Sequence, residues 1–129
     1  MTILPLYLQI GRTERVRFTG VIDKVAVACC DLDFTANSES PHTATLFSVY
    51  TIPCHRGKGF ARALIRWAIE CAESHGRTVI LLSVHCENEP AVSLYEELGF
   101  MPYGTEGPFD YYAYWRELNP QDAALEAQE

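Results

Sequence analysis

The chain contains no apolar run approaching the ~20 residues that a membrane-spanning helix needs, and it has no internal repeat and no low-complexity block. Its opening, MTILPLYLQIGRTER, lacks the charged leader, apolar block and small-residue cleavage site of a secretory signal. A cytoplasmic protein without membrane association is therefore expected. There is no C-x-x-C, and the five cysteines are an odd number with Cys29 and Cys30 adjacent, which argues against a disulfide framework. Most of the five are expected to be small core hydrophobes in a reducing compartment. No base follows Arg116, so Glu117, Asp122, Glu126 and Glu129 stand uncompensated and account for four units of the formal charge of −7. The acidic balance excludes a broad nucleic-acid surface and mildly favours a cationic partner.

What is present fits one globular domain over residues 1–118, followed by an acidic C-terminal tail at 119–129. Hydrophobic residues make up 48% of the chain and charged residues 21%, an ordinary balance for a packed core. The first half alternates with the period of two that a strand requires: TILPLYLQI, RVRFTGVID, KVAVACCDLDF and TATLFSVYTI are rich in β-branched and aromatic residues. The break from Thr35 to His42 reads as a loop by its Asn, Ser and Pro content. Three or four antiparallel strands are predicted.

After Pro53 the period changes to 3.6. Ala61, Leu64, Ile65, Ala68 and Ala72 form one apolar stripe of a helix from about Gly59 to Ser74, with Gly76 placed to end it. RTVILLSVH follows as a nearly continuous apolar strand, the pattern of a strand buried on both faces. A second helix, about Glu89 to Leu98, carries Ala91, Leu94 and Leu98 on one face, with Pro90 in its first turn and Gly99 beyond its end. The last strand is DYYAYWREL. Strands joined across a helix run parallel, so an α/β fold with a mixed sheet is expected.

The junction HRGKGFA, His55 to Ala61, combines flexibility and positive charge at a helix start. Unpaired backbone N–H groups and the helix dipole favour an anion there; Gly57 and Gly59 remove side chains that would hold a phosphate away, and Arg56 and Lys58 add charge. The junction reads as a pyrophosphate cradle, against the plainer alternative of a tight turn with solvated bases. A P-loop is excluded because Gly59, not Ser or Thr, follows Lys58. The dinucleotide fingerprint is excluded because Arg62 stands where its third glycine belongs.

RGKGFA, Arg56 to Ala61, resembles the [RQ]-x-x-G-x-[GA] acyl-CoA signature of the GNAT N-acetyltransferase superfamily, and NEPAVSLYEELGF, Asn88 to Phe100, resembles its N-x-x-A-x-x-L-Y-x-x-x-G-F segment. The match runs continuously from Phe47 to Tyr103. It implies a GNAT-like fold, with antiparallel N-terminal strands followed by a β-α-β-α-β acyl-CoA-binding core. It implies an acetyl-CoA-dependent N-acetyltransferase that transfers an acetyl group to a primary amine by direct attack in a ternary complex, with no metal. Carried over position by position, the backbone of Arg56, Gly57, Lys58, Gly59, Phe60 and Ala61 would bind the CoA pyrophosphate, and that of Val49, Tyr50 and Thr51 the pantetheine arm. Asn88 would contact the cofactor arm, cap the second helix, or both. Tyr95 would protonate the CoA thiolate, a role suited to a phenol of pKa ~10 that stays protonated at neutral pH; its plainer reading is an aromatic beside Leu94 and Leu98.

Two departures from the family stand out. No acid lies in TATLFSVYTIP, where relatives often carry a general base; Asp31 and Asp33 are the nearest candidates, read here as loop-solvating carboxylates, so no base is assigned. Only GRTER separates the first two strand runs, where the family usually places two helices that shape the acceptor pocket. The acceptor side would then be an open cleft for an amine-bearing small molecule or protein, or be completed by a partner chain such as a second copy in a homodimer. A non-catalytic acyl-CoA-binding module that regulates a partner is the alternative function. Cys54, His55, His85 and Cys86 are metal-ligand types near strand ends, but adjacent ligands on a chain rarely reach one ion together. Cys86 as an acyl-carrying nucleophile lacks an activating neighbour. Trp67, Trp115, Tyr111, Tyr112 and Tyr114 are expected to pack in the core.

Overall fold

The structure is a computed structural model that describes residues 1–35 and 42–115. Most of the Thr35–His42 break, residues 116–118 of the last predicted strand and the acidic tail at 119–129 lie outside the described residues. The elements run β1 (Thr2–Ile10), β2 (Thr13–Ile22), β3 (Val25–Asp33), β4 (Thr43–Thr51), a 3-10 turn (Pro53–His55), α1 (Phe60–Ser74), β5 (Val79–His85), α2 (Glu89–Glu97), β6 (Met101–Glu106) and β7 (Phe109–Trp115). Seven strands form one sheet in the order β1-β2-β3-β4-β5-β7-β6. Only β4 and β5 pair in parallel; every other pair is antiparallel.

The strand-to-helix alternation predicted for the second half holds up to α2 and then needs one correction. The chain does not pass from α2 directly into β7. It first makes β6 at the far edge, then turns back through Gly107 and Pro108, so β7 inserts between β5 and β6 and runs antiparallel to β5. All six residues of β6 are exposed, and Pro102 and Gly104 belong to types that strands disfavour. No alternation marks it in the sequence.

The apolar stripe of α1 packs as its spacing requires: Leu64, Ile65, Ala68 and Ala72 are buried and Ala61 half-buried. Gly76 ends the helix at φ +74°, with its N–H on the Glu73 carbonyl (3.0 Å) and the Arg77 N–H on that of Ala72 (2.9 Å), the paired bonds that close a left-handed helix end. Both helices lie on one face of the sheet. The Cys30 thiol of β3 reaches the Leu64 carbonyl of α1 at 3.8 Å, and Arg62 of α1 pairs with Glu97 of α2. Between the helices and the sheet sits one core, including Phe18, Leu32, Leu46, Leu64, Ile80 and Phe100.

The opposite face carries no helix among the described residues, because β1 and β2 are joined by a short turn at Gly11 and Arg12. This corrects the reading of β5 as buried on both faces: Ile80, Leu82 and Val84 are buried, while Ser83 and His85 on the other side are exposed. Leu4, Leu6 and Leu8 stand 52%, 57% and 38% exposed. Their register opposite Thr19, Arg17 and Arg15 places them on this open face.

Other corrections share the same cause, that side chains on an uncovered sheet face or an outer helix face stay in water. Trp67 and Trp115 are about half exposed, whereas Tyr112 is buried and Tyr111 and Tyr114 partly so. Of the five cysteines only Cys30 is a core residue; Cys29 and Cys71 are half-buried, and Cys54 and Cys86 exposed.

Asp31 and Asp33 are not loop residues. They sit inside β3 on the open face, 1% and 5% exposed, under the side chains of Arg17 and Arg15 from β2. Burial pushes the Asp33 carboxyl upward, but the Thr35 N–H (2.7 Å), the Thr35 hydroxyl (2.8 Å) and Arg15 outweigh it and hold the group below its ordinary value.

Candidate active site

β4 and β5 pair only from Thr43–Thr45 to Val79–Leu81 and then part. The divergence begins at a bulge in β4: Phe47 pairs with Asp31 and Tyr50 with Cys29, so Ser48 and Val49 together oppose Cys30. Ser48 takes φ +55°, a left-handed conformation that non-glycine residues rarely adopt. Beyond the bulge, backbone N–H and C=O groups on the facing edges of β4 and β5 have no ladder partners across the gap. The result is a cleft of about 830 Å³, within the range of small-molecule sites.

One wall of the cleft is β4, contributing Val49, Tyr50 and Thr51 among others. The other is β5, contributing Ser83, Val84 and His85. Its far end is closed by Arg56, Gly57, Gly59, Phe60 and Ala61, and its floor by α2 through Asn88, Leu94 and Tyr95. Every residue given a cofactor-binding or catalytic role in the sequence analysis therefore lines this one cleft except Lys58, whose side chain is exposed outside it.

The glycine junction has the form of an anion cradle. Gly57 and Gly59 sit at φ +76° and +84°, where a side chain would be strained, and a Cβ at either would meet nothing within 4 Å. The glycines thus satisfy a backbone requirement and face open space. The first helical bond joins the Ala63 N–H to the Gly59 carbonyl at 3.1 Å, and no side chain caps the helix. The N–H groups of Phe60, Ala61 and Arg62 therefore have no acceptor within the helix. Arg56 is anchored rather than free: its Nε donates to the Thr51 carbonyl at 2.9 Å and its guanidinium lies 5.6 Å from the Tyr50 ring centre. Open space, unpaired donors and a fixed guanidinium fit a pyrophosphate group.

Asn88 caps α2, its Oδ1 accepting from the Ala91 N–H at 3.4 Å, and it also borders the cleft. Tyr95 is 7% exposed, with its ring edge-on to Phe100 at 5.8 Å. Burial, assisted by the nearby Cys30 sulfur, pushes its phenol up to about 12. At neutral pH it is therefore a proton-bearing donor.

His55 and His85, considered above only as metal-ligand types, both border the cleft. The Glu87 N–H donates to His85 Nδ1 at 3.2 Å, which leaves the proton of a neutral ring on Nε2. Cys54 and Cys86 do not line the cleft. No group of three metal-ligating side chains occurs among the described residues, and none of the described residues lining the cleft is a carboxylate.

Comparison with known proteins accords with this geometry. The chain is 37% identical over 76 residues to an uncharacterized N-acetyltransferase of Methanocaldococcus jannaschii, covering 59% of this chain and 34% of that one. It is 41% identical over 68 residues to a spermidine N(1)-acetyltransferase of Vibrio cholerae, covering 49% and 37%. The chain thus spans about a third of the length of these curated relatives. Among solved structures, the fold is similar to the PaiA N-acetyltransferase of Thermoplasma acidophilum in complex with coenzyme A (TM-score 0.72, 20% identity, 79% of this chain and 61% of that one). It is also similar to YncA of Salmonella typhimurium, a putative acetyltransferase solved with acetyl-CoA (TM-score 0.71, 18% identity, 84% and 68%). The profile of the acetyltransferase (GNAT) family matches residues 3–100, a span that includes the splayed strands, the glycine cradle and Tyr95, and the chain belongs to that family.

Proposed function

We propose that this chain is an acetyl-CoA-dependent N-acetyltransferase acting on a primary amine in a ternary complex. The observation that carries the reading is the single cleft in which the parted edges of β4 and β5, the glycine cradle and the Tyr95 phenol meet. When bound, acetyl-CoA supplies an activated thioester, whose carbonyl carbon the amine nitrogen attacks and whose C–S bond breaks to release CoA. The backbone of Val49, Tyr50 and Thr51 would hold the pantetheine arm as an added strand edge. The N–H groups from Gly57 to Ala61 would hold the pyrophosphate, with Arg56 adding charge and Lys58 acting through its main chain. Asn88 would fix the start of α2 and border the arm.

Tyr95 would donate a hydrogen bond to the departing sulfur. With its phenol near 12 and an ordinary thiol near 8.5, complete proton transfer is uphill, so the role is stabilisation of the thiolate. No described carboxylate lines the cleft to take the proton that the attacking amine loses, so that proton passes to the departing thiolate and CoA leaves as its thiol. Asp31 and Asp33 are occupied by Arg17 and Arg15. Proximity and alignment then provide much of the acceleration, and the amine enters in its neutral form.

The test is acceptor-stimulated release of CoA from acetyl-CoA across a panel of amines. Release that depends on the amine and yields an acetylated product supports the enzyme. Tight acetyl-CoA binding with no transfer to any amine would favour the acyl-CoA-binding module instead. We place the protein in the cytoplasm, to which five unpaired cysteines are suited. For the exposed Leu4, Leu6 and Leu8 face the proposed occupant is a second copy of the chain; a strict monomer in light scattering would remove that assignment.

A further inference from the structure

On the open face, just outside the cleft, three aromatic rings and one carboxylate stand together with no counter-ion among the described residues. Ser83 and His85 of the cleft wall pair in register with Tyr111 and Phe109 of β7. The His85 ring meets Phe109 edge-on at 5.7 Å. Tyr111 in turn stacks obliquely on Tyr103 of β6, ring centres 5.8 Å apart, and its hydroxyl donates to Glu106 at 2.6 Å. Tyr103 and Phe109 are 52% and 46% exposed. The bulge in β6 between Pro102 and Gly104 brings Tyr103 round to this face, and Glu106 lies opposite Phe109.

The two sides of the cleft mouth differ in charge. On the β4 side, Arg15 lies 4.2 Å above the Phe47 ring and is paired with Asp33, while Arg17 is paired with Asp31; those cations are already neutralised. On the β7–β6 side, no cation among the described residues pairs with Glu106. A carboxylate beside the faces of tyrosine rings attracts an ammonium group by charge and by the ring quadrupole. A carboxylate-bearing acceptor would meet repulsion there, with no cation among the described residues paired with Glu106 to offset it.

Spacing decides which ammonium group it holds. Glu106 is two strands from β5, roughly 10 Å at about 5 Å per strand, so it is too distant to hold the nitrogen reacting in the cleft. We propose that Tyr103, Tyr111 and Glu106 form a recognition site for a second ammonium group, making the preferred acceptor an aliphatic amine with a further cationic nitrogen several methylene groups away. The inference rests on the transferase reading above and narrows its acceptor class. The alternating order of cleft, rings and carboxylate suits an extended chain laid across β5, β7 and β6, its methylenes on the rings and its far end at Glu106.

The test uses the whole chain saturated with CoA and compares binding of cadaverine, pentylamine and aminocaproate by calorimetry, followed by acetyl-transfer rates for the same compounds. Cadaverine should bind about five- to tenfold more tightly than pentylamine, with aminocaproate weakest, and added salt should shrink the preference. Glu106→Gln should close the gap between cadaverine and pentylamine, and Tyr103→Leu should narrow it. Both residues are exposed, so neither change threatens the fold. Equal binding of cadaverine and pentylamine, or a preference that survives Glu106→Gln, would overturn the site. Selective binding with no transfer to any amine would sustain the cation site and remove the transferase reading. Transfer to every amine without preference would do the reverse.

Discussion

Arg17 grips Asp31 at two points, Nε to Oδ1 at 2.6 Å and Nη2 to Oδ2 at 2.8 Å, and the carboxylate it holds is 1% exposed on a sheet face that no described helix covers. The bond to Asp31 pushes the Arg17 guanidinium pKa further up. Arg15 Nη1 lies 3.9 Å from the same carboxylate, so the two arginines form a lid over both buried aspartates.

Removing Arg17 should therefore strip the buried Asp31 carboxylate of both Arg17 hydrogen bonds and leave it only the Arg15 cation at 3.9 Å. Arg17→Ala is expected to destabilise the domain by about 3 kcal/mol, the low end of the range for a broken buried pair, because Arg17 itself is partly in water. Replacing both Arg17 and Asp31 by leucine should restore most of the stability. Urea unfolding at neutral pH measures both; an Arg17→Ala change of a few tenths of a kcal/mol would show that the pair does not carry this energy.

Tyr95→Phe isolates the phenol. Turnover should fall about tenfold to a hundredfold, at or below the low end for a group that transfers a proton because the phenol only donates a hydrogen bond, while acetyl-CoA affinity stays nearly constant because the cradle lies elsewhere in the cleft. Steady-state rates with calorimetric affinity check the split. Unchanged turnover removes Tyr95 from the mechanism.

Stability should decline on the alkaline side. Burial pushes the Cys30 thiol from its ordinary 9.0 up to about 12, with Cys29 and Asp31 adding to the shift, and the Tyr95 phenol from 10.0 to about 12. The folded state holds both protons more tightly than the unfolded chain. Stability is therefore full below pH 9.0 and falls as pH rises toward 12, by about 1.4 kcal/mol per pH unit for each group titrating only when unfolded. Denaturation midpoints from about pH 8 to about pH 11 should trace this slope, and Cys30→Ala should flatten its lower part. A level profile in the wild type would mean that neither group is as buried as the fold places it.

These tests also mark what the residues announced and what they hid. The α1 stripe was legible because Leu64, Ile65, Ala68 and Ala72 are all buried at helical spacing, and the cradle because two glycines and a helix start fall together. Asp31 and Asp33 were misread: their partners lie 14 and 18 residues away, a distance over which only strand register supplies the pairing. The bulge at Ser48 left no trace, since its positive φ falls on an ordinary serine. β6, with its proline and glycine and no buried side chain, offered no period to detect, and with it went the Tyr103–Tyr111–Glu106 cluster. Lys58, marked by its charge, lies outside the cleft because a side chain's direction at a turn depends on backbone angles that spacing does not reveal.

The most direct test of the central claim is the melting temperature with and without acetyl-CoA at about 100 times its Kd, for the wild type and for Gly59→Trp. Binding should add about 2.7 kcal/mol, or roughly 10 °C, to the wild type. Because a side chain at φ +84° strains the backbone in its own right, the quantity compared is each protein's shift on adding acetyl-CoA. A shift in the wild type that disappears in Gly59→Trp is the predicted result; no shift in the wild type, or equal shifts in both, would contradict the cradle as the cofactor site.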